Sequence, residues 1–207
     1  MRAWKRHGRG ERVRYVATLD RHEASVLRGL LGQIDAMLAD RAGEGPQDEL
    51  AALTGIRTGS STTPTDPVLA RLLPDFHRPD QDRDREPDRD PDRDPDQAPD
   101  AAAGGEQGLS AALRSVREPE LIEAKQEAIG TVLATCPEGG GRVELAAAQA
   151  EAWLTAVNDV RLALGTALEI REDSPEALPP DDPRADHLPV YHWLTWMQDS
   201  LVTTLTS

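Results

Sequence analysis

Apolar residues recur at three- and four-residue spacing in three separate stretches of this chain, and that periodicity commits most of it to helices packed face to face. Leu27, Leu30, Leu31, Ile34, Met37 and Leu38 mark the first stripe. Ala150, Trp153, Leu154, Val157, Val160, Leu164 and Leu168 mark the second, and Val190, Trp193, Leu194, Met197, Leu201 and Leu205 the third. Capping chemistry sets the boundaries. Asp20 and Glu23 have the spacing of a capping box, in which the aspartate accepts from backbone amides and the glutamate reaches back. The first helix therefore starts there and runs to about Asp40; the others cover 146–168 and the segment from Pro189 onward. Asp66-Pro67 opens a short helix that buries Val68, Leu69, Leu72 and Leu73 before Pro74 stops it. Leu109 to Val116 form another short helix. Pro119 suits a first helical position and opens a helix to Thr135, with Ile122, Ile129, Val132 and Leu133 on its apolar face.

Three segments escape this pattern. Arg2 to His7 and Arg12 to Leu19 flank Gly8-Arg9-Gly10, the outline of a β-hairpin whose Trp4, Val13 and Tyr15 share one face. A lone hairpin is marginally stable, so it must pack on the helices. Val143 to Leu145 read as a brief extended piece. Between Asp80 and Asp100 stand ten acids and four arginines, with Pro-Asp-Arg-Asp repeated from Pro87 and from Pro91. Nothing apolar is available there to bury, and residues 77–108 read as a disordered, net-negative insertion that acts as a solvated spacer. The expected architecture is mainly α: a single helical domain over 1–207, with an N-terminal β-hairpin and a disordered acidic loop.

The formal charge of −14 comes from 37 acids against 23 lysines and arginines, and it argues against non-specific DNA binding, which phosphate neutralisation drives. No apolar run exceeds four residues, whereas a transmembrane helix needs roughly 20. The basic N-terminus lacks the apolar stretch of a signal peptide, so no membrane is involved and a cytoplasmic location follows by elimination. Cys136 is the single cysteine, which leaves no intramolecular disulfide and no cysteine-cluster metal site. Nucleophile elbows, phosphate-binding glycine loops and paired helical histidines are missing; His187 and His192 stand five apart, off the spacing that places two ligands on one helical face. Neither an enzyme nor a cofactor is expected.

The opening is the strongest electrostatic signal. Residues 1–14 carry six positive side chains, Arg2, Lys5, Arg6, Arg9, Arg12 and Arg14, against Glu11. Together with Trp4 they form a candidate partner-binding patch for an acidic protein face or for phosphates. Arg2, Lys5, Arg6, Arg12 and Arg14 also fit the solvent face of an edge hairpin that pairs with the protein's own acids. Arginine outnumbers lysine 21 to 2, a usage typical of a GC-rich genome, so not every arginine is functional. Trp196 lies off the inner stripe of the last helix, where an exposed aromatic marks a partner or dimer surface. Cys136 precedes a proline at a helix C-terminus, where the dipole disfavours a thiolate. It reads as a small buried residue, and as a redox centre only with an intermolecular partner.

Four stretches read together resemble a known family. They are Met1-Arg-Ala-Trp-Lys-Arg-His-Gly-Arg-Gly10, Thr65-Asp-Pro-Val-Leu-Ala-Arg-Leu-Leu-Pro74, Ala152-Trp-Leu-Thr-Ala-Val-Asn-Asp-Val-Arg-Leu-Ala-Leu-Gly165 and Val190-Tyr-His-Trp-Leu-Thr-Trp-Met-Gln-Asp-Ser-Leu-Val202. The chain is similar, in almost everything but the acidic loop, to the actinobacterial AosR-like family of oxidative-stress transcriptional regulators, formerly a domain of unknown function encoded near the ClpS adaptor. The resemblance implies a non-enzymatic regulator that acts with a sigma factor and RNA polymerase, with DNA contact through one patch and self-association as further expectations. Disulfide-based sensing, which it also implies, needs a second cysteine that this chain lacks. The alternative is a protein adaptor linked to proteolysis or cysteine metabolism, with no DNA contact.

Overall fold

Asp20 begins the first helix as its spacing requires: in a computed structural model of the chain, its Oδ1 accepts from the Glu23 amide at 2.8 Å and Glu23 Oε2 accepts from its own amide at 2.7 Å. The structure describes residues 1–44, 59–75, 100–174, 177–179 and 181–207. Among these residues the chain runs β1 (Arg2–His7), β2 (Arg14–Leu19), α1 (Arg21–Gly43), α2 (Pro67–Leu72), α3 (Asp100–Thr135), β3 (Gly141–Leu145), α4 (Ala147–Ala167) and α5 (Leu188–Leu205). The fold is mainly helical, as the apolar periodicity requires.

The N-terminal hairpin forms, with Gly10–Arg12 as a 3₁₀ turn between its strands, and it gains a third strand. β3 pairs antiparallel with β2, setting Leu145 opposite Tyr15 and Val143 opposite Ala17, so the order is β1-β2-β3. β1 pairs with the other side of β2, Lys5 opposite Val16 and Arg6 opposite Tyr15, with an irregularity between Arg2 and Lys5. α5 packs along β1. Its Ser200 Oγ accepts from the Trp4 amide at 3.0 Å, and its Thr204 hydroxyl donates to the Trp4 carbonyl at 3.3 Å. These two hydroxyls occupy backbone groups that an edge strand would otherwise present to another chain.

One hydrophobic cluster joins the sheet to α1, α2, α3, α4 and α5. Trp153 of α4 lies at its centre, fully buried, its indole Nε1 donating to Thr135 Oγ1 at 2.8 Å and its ring meeting Trp4 edge to face at 5.4 Å between centroids. Such aromatic pairs contribute about 0.5–1.5 kcal/mol beyond the area they bury. The stripes on α1, α4 and α5 face this cluster, with Leu30, Leu154, Leu164, Val190, Trp193 and Leu205 half-buried at its margins. A tight corner joins α3 to the sheet. Gly140 takes a φ of +73°, and a Cβ there would meet the Asp20 carbonyl carbon at 2.5 Å, so only glycine fits.

Two sequence expectations change. The helices at 109–116 and 119–135 are one continuous helix, α3, and Pro119 lies inside it. An interior proline has no amide to donate and so strands the carbonyl four residues earlier. Here that carbonyl belongs to Ser115, and the Gly59 amide from a distant segment donates to it at 2.7 Å. The close approach requires glycine, because a Cβ on Gly59 would lie 2.8 Å from Pro119 Cγ. Of the segment 77–108, residues 100–108 are the first turns of α3, and 77–99 lie outside the described residues.

Three buried charges of the described residues gather beside this proline. Glu118 accepts from Arg41 Nε at 2.7 Å and from Arg114 Nη1 at 2.6 Å, and all three side chains are almost wholly buried. Arg41 also donates to the Thr62 carbonyl and pairs with Glu44, while Arg114 pairs with Asp75 and donates to the Leu73 carbonyl. Burial works against the Arg41 charge, but hydrogen bonds to Glu118 and Glu44 outweigh it and push its pKa further up. The triad thereby fastens the segments around 59–62 and 73–75 to α1 and α3.

Candidate partner-binding surface

Strand geometry sorts the basic N-terminal residues into two groups. Arg2, Lys5, Arg6, Arg9 and Arg12 are exposed, and Arg14 is half-buried with Nη1 donating to the Val13 carbonyl at 2.8 Å. Among the described residues none of the five exposed cations forms an ion pair with a carboxylate, so the alternative in which they pair with the protein's own acids finds no support there. A row of unpaired cations on an acidic protein concentrates positive potential at one edge of the sheet.

Trp4 is corrected to the core. It is 4% exposed, points inward against Trp153, and offers no surface to a partner. Trp4 is the one buried residue of β1, and its neighbours on both sides are exposed. Its indole Nε1 is buried without a hydrogen-bond partner among the described residues.

Trp196 is 43% exposed. It stands one helical turn before Ser200, the residue that holds the Trp4 backbone. Exposed aromatics and arginines are residue types enriched at protein-binding surfaces.

Cys136 sits apart from this surface, just after the C-terminus of α3, and is buried. Burial pushes its thiol pKa up, and the nearby Arg28 guanidinium opposes that only in part. Arg28 is committed to the end of the helix, where its Nη1 donates to the carbonyls of Leu133 at 2.6 Å and Cys136 at 2.9 Å. A protonated, enclosed thiol is a poor nucleophile toward peroxides.

Sequence reasoning missed the Arg41–Glu118–Arg114 triad as well. A signal was present: Arg41 continues the α1 stripe three residues after Leu38, and Arg114 and Glu118 precede Ile122 at four-residue steps. Charged residues in register with an apolar stripe are buried when they can pair with one another. Among the described residues no group of three His, Cys, Asp or Glu side chains is arranged to hold a metal ion, and no helix is long and apolar enough to cross a membrane.

Comparison with known proteins adds what geometry leaves open. The chain is 45% identical over 205 residues to the oxidative stress regulator AosR of Mycobacterium tuberculosis (strain ATCC 25618 / H37Rv), covering 99% of this chain and 88% of that protein. The protein of the same name from Mycobacterium bovis shows the same identity and coverage, and the putative oxidative stress regulator AosR of Mycobacterium leprae is 42% identical over the same length. No solved structure matches. A family model described as a domain of unknown function, DUF2017, matches residues 1–205, nearly the whole chain, and the chain belongs to that family.

Proposed function

We propose that this chain is a non-enzymatic regulator of the oxidative-stress response that acts on transcription by docking, together with a sigma factor, on RNA polymerase. The regulatory half of this reading rests on near-full-length similarity to proteins named oxidative stress regulators. The docking half rests on one observation: the five exposed basic residues of the hairpin region, Arg2, Lys5, Arg6, Arg9 and Arg12, have no acidic partner among the described residues. Unpaired cations at a surface favour an acidic protein face by complementarity and by steering its approach. The net charge of −14 makes a protein a better partner than bare DNA, and DNA contact would be confined to this one patch.

The test is affinity purification of the tagged chain from untreated and peroxide-treated cells, beside a variant with Arg2, Arg6, Arg9 and Arg12 changed to alanine. The expected result is recovery of sigma factor and polymerase subunits with the wild type and their loss with the variant, at unchanged helical content. Recovery of proteolytic or sulfur-metabolism proteins without polymerase would establish the adaptor reading instead. Equal recovery by wild type and variant would remove the hairpin from the interface.

A further inference from the structure

The two buried arginines among the described residues, Arg41 and Arg114, each hold a carboxylate. The half-buried Arg161 and the exposed Arg71 do not. Arg71 of α2 and Arg161 of α4 line a cleft of about 460 Å³ that α5 helps to close, and neither forms an ion pair with any described residue. Arg161 donates to Asn158 Oδ1 through Nη2 at 3.4 Å, but its Nε is buried and has no hydrogen-bond partner among the described residues. A buried guanidinium N–H without an acceptor is unusual, because burying a polar group carries a penalty that a hydrogen bond normally offsets.

The rest of the lining has a defined character. Leu162 and Ile170 supply apolar wall, and Tyr191 adds its ring together with a hydroxyl that has no hydrogen-bond partner among the described residues. The Thr166 hydroxyl donates to the Leu162 carbonyl at 2.9 Å, which leaves its oxygen able to accept. The volume lies within the range of small-molecule sites, roughly 300–1,000 Å³, and exceeds what a bare inorganic anion fills.

We propose that this cleft binds a small organic anion, its oxyanion held by Arg71 and Arg161 and its apolar or aromatic portion laid against Leu162, Ile170 and Tyr191. Guanidinium forks match the oxygen geometry of both carboxylates and phosphates, so the shared chemistry is an oxyanion on an apolar body. The site lies on α2, α4 and α5, apart from the hairpin cations. It gives a regulator whose thiol is enclosed a route for a soluble signal to reach the core. It does not depend on the docking reading, since the hairpin variant leaves all of its residues in place.

Isothermal titration calorimetry on the full chain tests it with phenyl phosphate, benzoate, inorganic phosphate and neutral benzyl alcohol as probes. Saturable binding is expected for an aromatic anion, about tenfold or more tighter than for inorganic phosphate or benzyl alcohol. A preference between phenyl phosphate and benzoate assigns the head group. Arg71→Gln and Arg161→Gln should each weaken binding about tenfold or more. Because Arg71 is exposed, its variant keeps the fold and separates lost binding from lost structure. Three results would overturn the proposal: no saturable heat from either aromatic anion, benzyl alcohol binding as tightly as they do, or full binding in the doubly substituted chain.

Discussion

Replacing Glu118 by alanine puts the buried charge triad under direct load. The carboxylate is 1% exposed and receives two charge-assisted hydrogen bonds, from Arg41 Nε at 2.7 Å and Arg114 Nη1 at 2.6 Å. Each such bond contributes about 1.5–3 kcal/mol, so losing both gives roughly 3–6 kcal/mol before relaxation. Relaxation is limited but real. Arg41 retains Glu44 and the Thr62 carbonyl, and Arg114 retains Asp75 and the Leu73 carbonyl, with both acids about half exposed. Removing the shared partner of buried charges typically costs about 3–5 kcal/mol, and the outer acids place this case near 3–4 kcal/mol. With a urea slope of about 2 kcal/mol/M, the unfolding midpoint should fall by about 1.5–2 M, followed by circular dichroism at 222 nm. Changing Glu118 to leucine together with Arg41 and Arg114 to methionine removes charge and partner at once and should recover much of the loss. A midpoint lowered by less than about 0.5 M with an unchanged slope would show that water or the outer acids already neutralise the two arginines, and the reasoning would fail.

Gly140→Ala should cost about 2–4 kcal/mol, since the new methyl meets Asp20 backbone in a left-handed conformation; a loss within error in urea unfolding would contradict the corner's geometry. Gly59→Ala should cost about 1–3 kcal/mol by pressing on the Pro119 ring, and amide exchange at Gly59 should quicken. Cys136 should react with a thiol reagent orders of magnitude more slowly in native than in denatured protein, because it is buried and its pKa is raised; rapid native labelling would reopen a thiol-sensing role. Asp182, whose carboxylate accepts two hydrogen bonds from the Arg184 guanidinium and one from its amide, is held at a pKa of about 2 rather than the usual 3.8. A lowered acid pKa stabilises the fold above about 3.8 and loses that contribution as pH falls toward 2, so carboxyl NMR should give a midpoint near 2 that Arg184→Ala moves back up.

What was legible in the sequence follows a physical line. The Asp20–Glu23 box, the Asp66-Pro67 start and the α1, α4 and α5 stripes are local signals, set by residues within four positions of one another, and the structure carries each of them. The grouping of Trp4 with Val13 and Tyr15 was legible too, and all three are buried, although Trp4 had also been placed on the partner surface. The continuity of α3 through Pro119 was not, because what makes it tolerable is an amide 60 residues away in sequence. The third strand was visible only as a short extended piece, since its pairing with β2 joins Leu145 to Tyr15 across 130 positions. Of the candidate site, the cations could be read directly from local charge. Their freedom from acidic partners among the described residues depends on tertiary packing, which no local pattern encodes.

The two hydroxyls of α5 that hold the Trp4 backbone have a consequence in time. They join positions 196 and 200 residues apart, so β1 is secured only after α5 has been synthesised. At roughly 5–20 residues per second, a ribosome leaves the arginine-rich hairpin waiting for about 10–40 s before α5 can reach it. During that interval Trp4 lacks its covering helix, and the outer edge of β1 is open to any nascent or neighbouring strand. Shortening the chain by its last two helical turns would make the interval permanent, and the resulting polypeptide should be a substrate for trigger-factor-like holdases and proteases.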